Sequence, residues 1–335
     1  MDINQIHALI NNRSLPGKYD NASLTETHIS WIILTDDFAY KIKRPVSYSF
    51  VDFSSLKKRN YFCQKEIALN KRLAPEMYLK VLPVTVGMVA AEKGKDHEGI
   101  IDFAVQMKRM DNSREMDKML GRNEVTKGGI DRLAKKIADF HNRVDVIDKP
   151  FDIDNIQETY SDIETVAPYL KKKAGEEMLN KVTGCIDTSN HFLKENAAFI
   201  NERAAEGFRR DCHGDLNSHN IFLYPDPVIF DCIEFNDEFR HIDVLYDIAF
   251  LYVDLDFFGR KNLGERFCKI YFQHMGIRND SFTERLLSYY KSLRANIRAK
   301  VTLIGAKNSD TNGSKEEIDD AKKYIELMTK YSMRI

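Results

Sequence analysis

Apolar and polar residues follow two different spacings along this chain. In the first hundred residues, short apolar or alternating segments are typical of strands, whereas most of the remainder has the three-to-four residue spacing of helices. Segments 30–35 and 38–43 flank Asp36-Asp37, which is typical of a turn, and predict a hairpin. Segments 81–89 and 102–110 predict further strands. The pattern therefore indicates a small sheet followed by a larger helical region.

One helix is predicted between the hairpin and the later strands. Ser55 is a favourable N-cap residue, and Ala74 precedes a proline that would end the helix. Glu66 shares a face of this helix with apolar residues, so its carboxylate needs a cationic partner. Lys41 is the first candidate for this partner. Lys43 lies on the same strand face by period-two alternation and is the alternative.

A polar segment in the second half of the chain carries the clearest chemical signal. Residues 213–220 read His-Gly-Asp-Leu-Asn-Ser-His-Asn, and Ile-Phe-Asp follows at 229–231. The spacing of Asp215, Asn220 and Asp231 is that of the catalytic aspartate and the two metal ligands of kinases. Amide and carboxylate oxygens are ligands that Mg²⁺ prefers. Asp215 is therefore the predicted catalytic residue, and Asn220 and Asp231 are the predicted metal ligands.

A hairpin should connect the two metal ligands. Apolar segments at 221–224 and 228–230 flank Pro-Asp-Pro at 225–227, a strong turn signal. If the turn centres on the first two of these residues, Asn220 lies directly across from Asp231.

Composition narrows the possible partners and compartment. Lys and Arg total 50 and Asp and Glu total 51, so no excess charge favours nucleic acid or an anionic membrane. The five cysteines have no paired spacing, which argues against zinc sites and disulfides. The sequence has neither a leader pattern nor an apolar run of about 18 residues. We therefore expect a cytoplasmic protein with no membrane span.

The motifs together resemble a known family. Residues 26–31 (Glu-Thr-His-Ile-Ser-Trp), 39–45 (Ala-Tyr-Lys-Ile-Lys-Arg-Pro), 213–220 and 230–236 (Phe-Asp-Cys-Ile-Glu-Phe-Asn) are similar to the aminoglycoside phosphotransferase-like family of the protein-kinase-like superfamily. The likeness is greatest to an uncharacterised bacterial branch and extends roughly over residues 26–300. It concerns the kinase-like domain only, since the sequence contains no Walker-type phosphate-binding motif.

The resemblance implies an α+β, bilobal protein-kinase-like fold. Residues 1–106 would form a nucleotide-binding N-lobe with an antiparallel sheet and one main helix. Residues 107–335 would form a larger, mostly helical C-lobe with the catalytic loop, the metal site and the acceptor site. An aspartate at the position of Asp247 usually braces the catalytic loop in this family.

The same resemblance implies how the nucleotide would bind. Lys41 would bind phosphates of ATP, with GTP as an alternative, and Glu66 would position Lys41. No glycine-rich loop precedes the hairpin, so Thr27 and His28 are candidates for covering the phosphates. Gln106 and Lys108 lie where the last strand of the sheet would pass beneath the base.

The predicted acceptor is a hydroxyl group of a small polar molecule, with a sugar or amino sugar as the first choice. Few residues follow Asp231 before the next helical segment, which leaves no platform for a peptide. Candidate acceptor ligands lie near the motifs: Asn217, His219, Glu234 and Asp243. Asp254 and Asp256 are expected on solvated helix surfaces. An aminoglycoside-resistance kinase and a nucleotide-binding pseudokinase that acts as a scaffold or sensor remain alternatives.

Overall fold

The computed structural model describes residues 1–89, 99–308 and 313–335. These residues divide into two compact units. The first unit comprises Met1–Glu115, Asn220–Tyr224 and Val228–Phe239, and the second comprises Met116–His219, Pro225–Pro227 and Arg240–Ile335.

The first unit is built on an antiparallel sheet with helices on both faces. Its elements up to the second helix are α1 (Ile3–Asn11), β1 (Ser23–Glu26), β2 (Ser30–Leu34), β3 (Phe38–Lys43), β4 (Ser47–Tyr48), β5 (Val51–Asp52) and α2 (Leu56–Asn70). They are followed by β6 (Tyr78–Thr85), β7 (Met88–Val89), β8 (Ile100–Lys108) and a 3₁₀ turn at Asn112–Arg114. The main sheet has the order β1-β2-β3-β8-β6-β7, and β4 pairs with β5 in a separate small hairpin.

Alternation along β3 explains how the sheet separates two apolar clusters. Tyr40 and Ile42 pack on the face shared with residues of α1. Ala39 packs on the opposite face with Cys63 and Ile67 of α2. Because successive side chains of a strand point to opposite faces, Lys41 and Lys43 lie on the α2 side.

The predicted strands and helix of the first unit are present, with shifted ends. The oxygen of Ser55 accepts the Lys58 N–H at 3.3 Å and begins α2 as expected. The helix ends at Asn70 instead of near residue 74, because the N–H groups of Arg72 and Leu73 bond to carbonyls three residues back instead of four, which tightens the chain into a 3₁₀-type turn. The strand predicted at 81–89 is divided into β6 and β7 by a turn at Val86-Gly87.

The hairpin after Asn220 forms, but its register differs from the prediction. Strands β9 (Arg209–Asp211), β10 (Ile221–Phe222) and β11 (Val228–Ile229) occur in this part of the chain. Ile221 of β10 pairs with Ile229 of β11, so Asn220 lies across from Phe230 and not from Asp231. The Leu223 N–H bonds to the Arg114 carbonyl at 2.9 Å, and the loop between the paired residues Phe222 and Val228 comprises residues 223–227.

The second unit is mainly helical. Residues 213–219 carry the predicted catalytic residue Asp215 and are called the catalytic segment for that prediction. Before them the second unit contains α3 (Met116–Gly121), α4 (Lys127–Arg143), α5 (Ile153–Ser161), α6 (Ala167–Ala174) and α7 (Glu176–Ala205). After that segment come β12 (His241–Asp243), α8 (Val244–Phe257), α9 (Lys261–Met275), α10 (Ser281–Asn308) and α11 (Gly313–Ser332). Strand β12 pairs with β9. Among the described residues, no helix has the length and apolar character that crossing a membrane requires.

Candidate active site

Two lysines of β3 contact the same glutamate of α2. Lys41 Nζ lies 2.9 Å from Oε1 of Glu66, and Lys43 Nζ lies 2.7 Å from Oε2. Glu66 and Lys43 are fully buried, and Lys41 is nearly so. The expected contact between Glu66 and a lysine of this strand is present, and each of the two lysines has its own carboxylate oxygen.

Asp231 contacts the first of these lysines. Its Oδ1 lies 2.6 Å from Lys41 Nζ, and its side chain is 43% exposed. The backbone of Asp231 has a φ of 61°, in the left-handed region that aspartate visits more readily than most residues other than glycine. Two hydrogen bonds fix this bend: Tyr78 Oη binds the Asp231 N–H, and Asn70 Oδ1 of α2 accepts the Cys232 N–H.

Glu234 completes a network of alternating charges in the first unit. Its carboxylate forms a buried ion pair with Lys43. Asp231, Lys41, Glu66, Lys43 and Glu234 therefore form a continuous series, which we call the charge network. Glu234 was a predicted acceptor ligand, yet it is only 3% exposed and its partner is Lys43. This arrangement makes it a member of the network instead of an open binding group.

The charge network alters the proton affinity of its members. Burial alone would raise the pKa of Glu66, but the charges of Lys41 and Lys43 lower it below its usual range. Burial would lower the pKa of Lys41, but Asp231 and Glu66 raise it well above its ordinary value. Glu66 is therefore held as a carboxylate and Lys41 as an ammonium.

The chemistry of Asn220 and Asp231 fits a magnesium ion. Asn220 is 8% exposed and directly precedes β10, and its backbone carbonyl accepts the Phe230 N–H at 3.0 Å. An amide oxygen and a carboxylate are hard ligands of the type that Mg²⁺ uses in proteins. The two residues belong to the same unit as Lys41.

In the second unit, Asp247 of α8 holds the start of the catalytic segment. Its carboxylate accepts the backbone N–H groups of His213 and Gly214 at 3.1 and 2.9 Å. Gly214 has a φ of 87°, a conformation that glycine adopts without a steric penalty. Arg294 of α10 donates to the Gly214 carbonyl at 3.1 Å. The backbone just before Asp215 is thus held from two helices.

His141 of α4 supports Asp247. Its Nε2 lies 3.0 Å from the Asp247 carboxylate and its Nδ1 lies 2.6 Å from the Tyr271 hydroxyl. Burial would raise the pKa of Asp247, but the hydrogen bond with His141 and nearby positive groups lower it to about 2. His141 is fully buried, and both of its ring nitrogens have hydrogen-bond partners.

The rest of the catalytic segment is braced by its own side chains and by α8. Asn217 Oδ1 accepts the His219 N–H at 3.0 Å, and Asn217 Nδ2 donates to the Asp215 carbonyl at 3.3 Å. Asp254 accepts both the N–H and the hydroxyl of Ser218 at 2.7 Å. Asp254 is 1% exposed, so the expectation of a solvated surface carboxylate was wrong. Asn217 is a predicted acceptor ligand, but both its amide oxygen and its amide nitrogen form hydrogen bonds within the segment and hold its backbone in place.

His219 is the predicted acceptor ligand with the most exposed side chain. Its imidazole is 51% exposed, and Nδ1 lies 3.0 Å from Asp117 of α3. This hydrogen bond raises the pKa of His219 above its usual value. Arg298 of α10 lies 3.4 Å from Nε2 and donates to the Tyr324 hydroxyl. Asp215 is partly exposed in the same unit.

Asp243 has a structural environment. It caps α8 by accepting the Leu245 N–H at 2.8 Å, and its two oxygens accept from Arg203 at 2.6 and 2.9 Å. It is 1% exposed. The structure therefore makes Asp243 a helix cap and an ion-pair partner, and we remove it from the candidate acceptor ligands.

Four predicted nucleotide ligands lie outside the charge network, namely Thr27, His28, Gln106 and Lys108, and they differ in exposure and in their hydrogen-bond partners. Thr27 lies between β1 and β2, where its hydroxyl bonds to both the N–H and the carbonyl of Ser30, and His28 is exposed beside it. The Gln106 side chain donates to Tyr40 on the sheet face away from Lys41, so only its backbone remains a candidate. Lys108 is exposed, and its N–H bonds to the Met77 carbonyl.

Several supporting residues were not identified from the sequence. The Lys43–Glu234 pair and the bracing groups Asp117 and Arg294 depend on contacts between distant segments. Lys43 was recognised only as an alternative to Lys41. Its spacing of two along a strand was the available signal, because it places both lysines on one face.

Comparison with known proteins identifies the family. The family model of the phosphotransferase enzyme family matches residues 63–282, more than half of the chain. The chain belongs to this family, and the predicted family is confirmed. Uncharacterized proteins of Mycobacterium tuberculosis and Mycobacterium bovis are each 29% identical over 311 residues, which cover 91% of this chain. The chain matches only 59% of the length of these relatives.

Solved structures show the same fold at low sequence identity. The GDP and kanamycin complex of APH(2")-IIia is 15% identical, with a TM-score of 0.55 over 96% of this chain and 98% of that chain. Choline kinase from Cryptosporidium parvum is 12% identical, with a TM-score of 0.53 over 99% of this chain and 95% of that one. The predicted kinase-like fold, with an antiparallel-sheet part and a mostly helical part, is confirmed.

Proposed function

We propose that this protein transfers the γ-phosphoryl group of ATP to a hydroxyl group of a small polar molecule and requires magnesium. The observation that carries the proposal is the contact of Lys41 with both Glu66 and Asp231 in one compact unit. Kinases use these three residue types to bind nucleotide phosphates and metal. Membership in the phosphotransferase enzyme family supports the same reaction type.

In this proposal, residues of the first unit bind the nucleotide. Lys41 binds phosphate oxygens, and Glu66 fixes the position of the Lys41 ammonium. Asn220 and Asp231 would hold magnesium, which supplies positive charge against the phosphate oxygens and orients them. Thr27, His28 and the backbone of 106–108 would contribute the remaining nucleotide contacts. GTP stays open as an alternative donor.

Asp215 is the proposed catalytic residue for the acceptor. Its carboxylate would accept a hydrogen bond from the acceptor hydroxyl and take its proton as the phosphoryl group is transferred. The backbone before Asp215 is fixed by Asp247 and Arg294, which favours a defined carboxylate position. His219 remains the candidate ligand for other polar groups of the acceptor. Residues 1–106 would thus supply most nucleotide contacts, and residues 107–335 would supply the metal ligands, the catalytic residue and the acceptor site.

A sugar or amino sugar is the proposed acceptor class. Only eleven residues separate Asp231 from Asp243, where β12 leads into α8, so this stretch offers little length for holding a peptide. A solved structure with the same fold contains kanamycin, which favours an aminoglycoside-resistance kinase as a second candidate. All five cysteines are buried thiols and not disulfides, which supports a reducing compartment such as the cytoplasm.

An acceptor screen tests this proposal. The purified protein would be mixed with ATP and magnesium, and the formation of ADP would be measured. The candidate acceptors are sugars, amino sugars, aminoglycosides, polyols, amino alcohols and peptides. A true acceptor should raise the rate far above hydrolysis by water, because a positioned hydroxyl reacts within the complex. Asp215→Ala should lose the stimulated rate and still bind ATP. Nucleotide binding without turnover for every acceptor would instead favour a pseudokinase, and raised aminoglycoside tolerance on expression would identify the resistance candidate.

A further inference from the structure

Lys43 and Glu66 are the two fully buried charged groups of the charge network. Lys43 is the one whose role the proposed function leaves open. Its side chain has no exposed surface, and its Nζ lies between Glu66 Oε2 and the carboxylate of Glu234. Burying an ammonium costs considerable free energy unless it is paired and hydrogen-bonded. Lys43 also joins three segments of the first unit, namely β3, α2 and the segment that follows Asp231.

The position of Lys43 constrains the carboxylate of Glu66. Lys43 binds Oε2 at 2.7 Å and Lys41 binds Oε1 at 2.9 Å. Each oxygen thus faces a different lysine, and a rotation of the carboxylate would disturb both ion pairs. Glu66 can offer Lys41 only one oxygen as long as Lys43 occupies the other. Glu234 in turn supplies a second negative charge to Lys43, so Lys43 does not draw Glu66 away from Lys41.

We propose that Lys43 and Glu234 are positioning residues for the nucleotide site. They hold Glu66 so that Lys41 has one glutamate oxygen and can give its remaining hydrogen-bonding capacity to a nucleotide phosphate. The inference rests on the proposed function, because it assigns Lys41 to phosphate binding. Neither Lys43 nor Glu234 contacts the substrate in this account, and both act through Glu66.

Removal of the Lys43–Glu234 pair should have a specific consequence. Glu66 would then have two oxygens for Lys41, and the bidentate contact would compete with the phosphate for the same ammonium. Nucleotide affinity should therefore fall even where the fold is retained. If the pair were purely structural, nucleotide affinity should be retained, because replacement of a buried ion pair by apolar side chains of similar size often leaves stability and function intact.

The test is the affinity of the purified protein for magnesium-ADP, measured by isothermal titration calorimetry beside the thermal unfolding midpoint. The double variant Lys43→Met/Glu234→Met removes the pair without leaving a single buried charge. The matched control is Arg59→Met/Asp102→Asn, which removes another buried ion pair that also involves α2 and lies outside the charge network, and which keeps an amide oxygen for the Met1 ammonium that Asp102 also binds. Glu234→Gln is a milder variant that keeps a hydrogen-bond acceptor for Lys43 in a fold close to that of the wild type.

We expect the Kd for magnesium-ADP to rise about tenfold in the Lys43/Glu234 double variant and about threefold in Glu234→Gln. The control should bind within about twofold of the wild-type protein. If the wild-type protein binds and both Lys43/Glu234 variants bind equally well, the positioning role is overturned and the proposed function stands. If the wild-type protein binds no nucleotide, the proposed function fails together with this inference.

Discussion

The ammonium of Lys41 lies 2.6 Å from the carboxylate of Asp231 and 2.9 Å from that of Glu66. Lys41 therefore links Asp231, the proposed metal ligand, to Glu66, which holds Lys41 in place. A magnesium ion and Lys41 would compete for the same Asp231 carboxylate. The nucleotide phosphates would compensate by giving Lys41 a new anionic partner.

The variant Asp231→Asn tests this competition. Loss of the carboxylate should abolish magnesium-dependent turnover, because a neutral amide binds a hard cation much more weakly. Binding of ADP without magnesium should be retained or strengthened, since Lys41 is no longer paired with Asp231. Calorimetric titrations with and without magnesium would measure both effects. Asp237→Asn is the control, because Asp237 lies in the same segment and forms an exposed ion pair with Lys65. Unchanged turnover in Asp231→Asn would contradict the metal assignment.

Lys41 and Glu66 should behave as one functional unit. Each of Lys41→Ala and Glu66→Ala should lower kcat/KM by about 100-fold, because the ammonium is either absent or misplaced. The double variant should be little worse than the single variants, as expected for residues that act together. Steady-state kinetics of all three variants would test this. Effects that multiply in the double variant would show that the two residues contribute independently.

The sequence contained enough information for the main elements of the first unit. Alternation along 38–43 placed Lys41 and Lys43 on one face, and the helical spacing around Glu66 placed its carboxylate on an apolar face. The two features together predict an ion pair without any knowledge of the fold. They do not decide which lysine forms it, because two positions on the same strand face are equivalent in sequence. In the structure both lysines reach Glu66, one at each oxygen.

Asp247 should make stability depend on pH in the acid range. Its pKa is lowered from 3.8 to about 2 in the folded protein, so the folded state binds this proton less tightly than the unfolded state. The resulting stabilisation is present above the unfolded value and is lost as the pH falls through about 2. It amounts to about 2 kcal/mol. Urea unfolding between pH 5 and pH 2 should show this loss, and Asp247→Asn should lack that part of the pH dependence. An identical profile for both proteins would contradict the assignment.

Asp243 and Arg203 should contribute to stability and not to acceptor recognition. Removal of either partner leaves an uncompensated buried charge, which costs about 3–5 kcal/mol. Asp243→Ala and Arg203→Ala should therefore lower the free energy of unfolding by similar amounts. The KM for the acceptor should stay near the wild-type value in protein that remains folded. A large rise in this KM for Asp243→Ala alone would return Asp243 to the acceptor site.

The misassigned residues share a physical cause. Asp243, Asp254 and Glu234 are acidic residues close in sequence to the metal motif, and polarity alone suggested exposure. Each is buried because a distant partner offsets the cost: Arg203 for Asp243, the Ser218 N–H and hydroxyl for Asp254, and Lys43 for Glu234. The register of the hairpin after Asn220 was missed for a similar reason, since the Arg114 carbonyl binds the Leu223 N–H. Such long-range contacts have no signal in local sequence.

The proposed reaction is transfer of the γ-phosphoryl group of ATP to a hydroxyl of a small molecule. Phosphorus NMR tests it most directly, in a reaction that contains the purified protein, ATP, magnesium and the acceptor that stimulates ADP release most strongly. We predict a new phosphomonoester signal equal in amount to the ADP formed, and no such signal with Asp215→Ala. Formation of ADP with an equal amount of inorganic phosphate, and with no phosphomonoester, would contradict the claim.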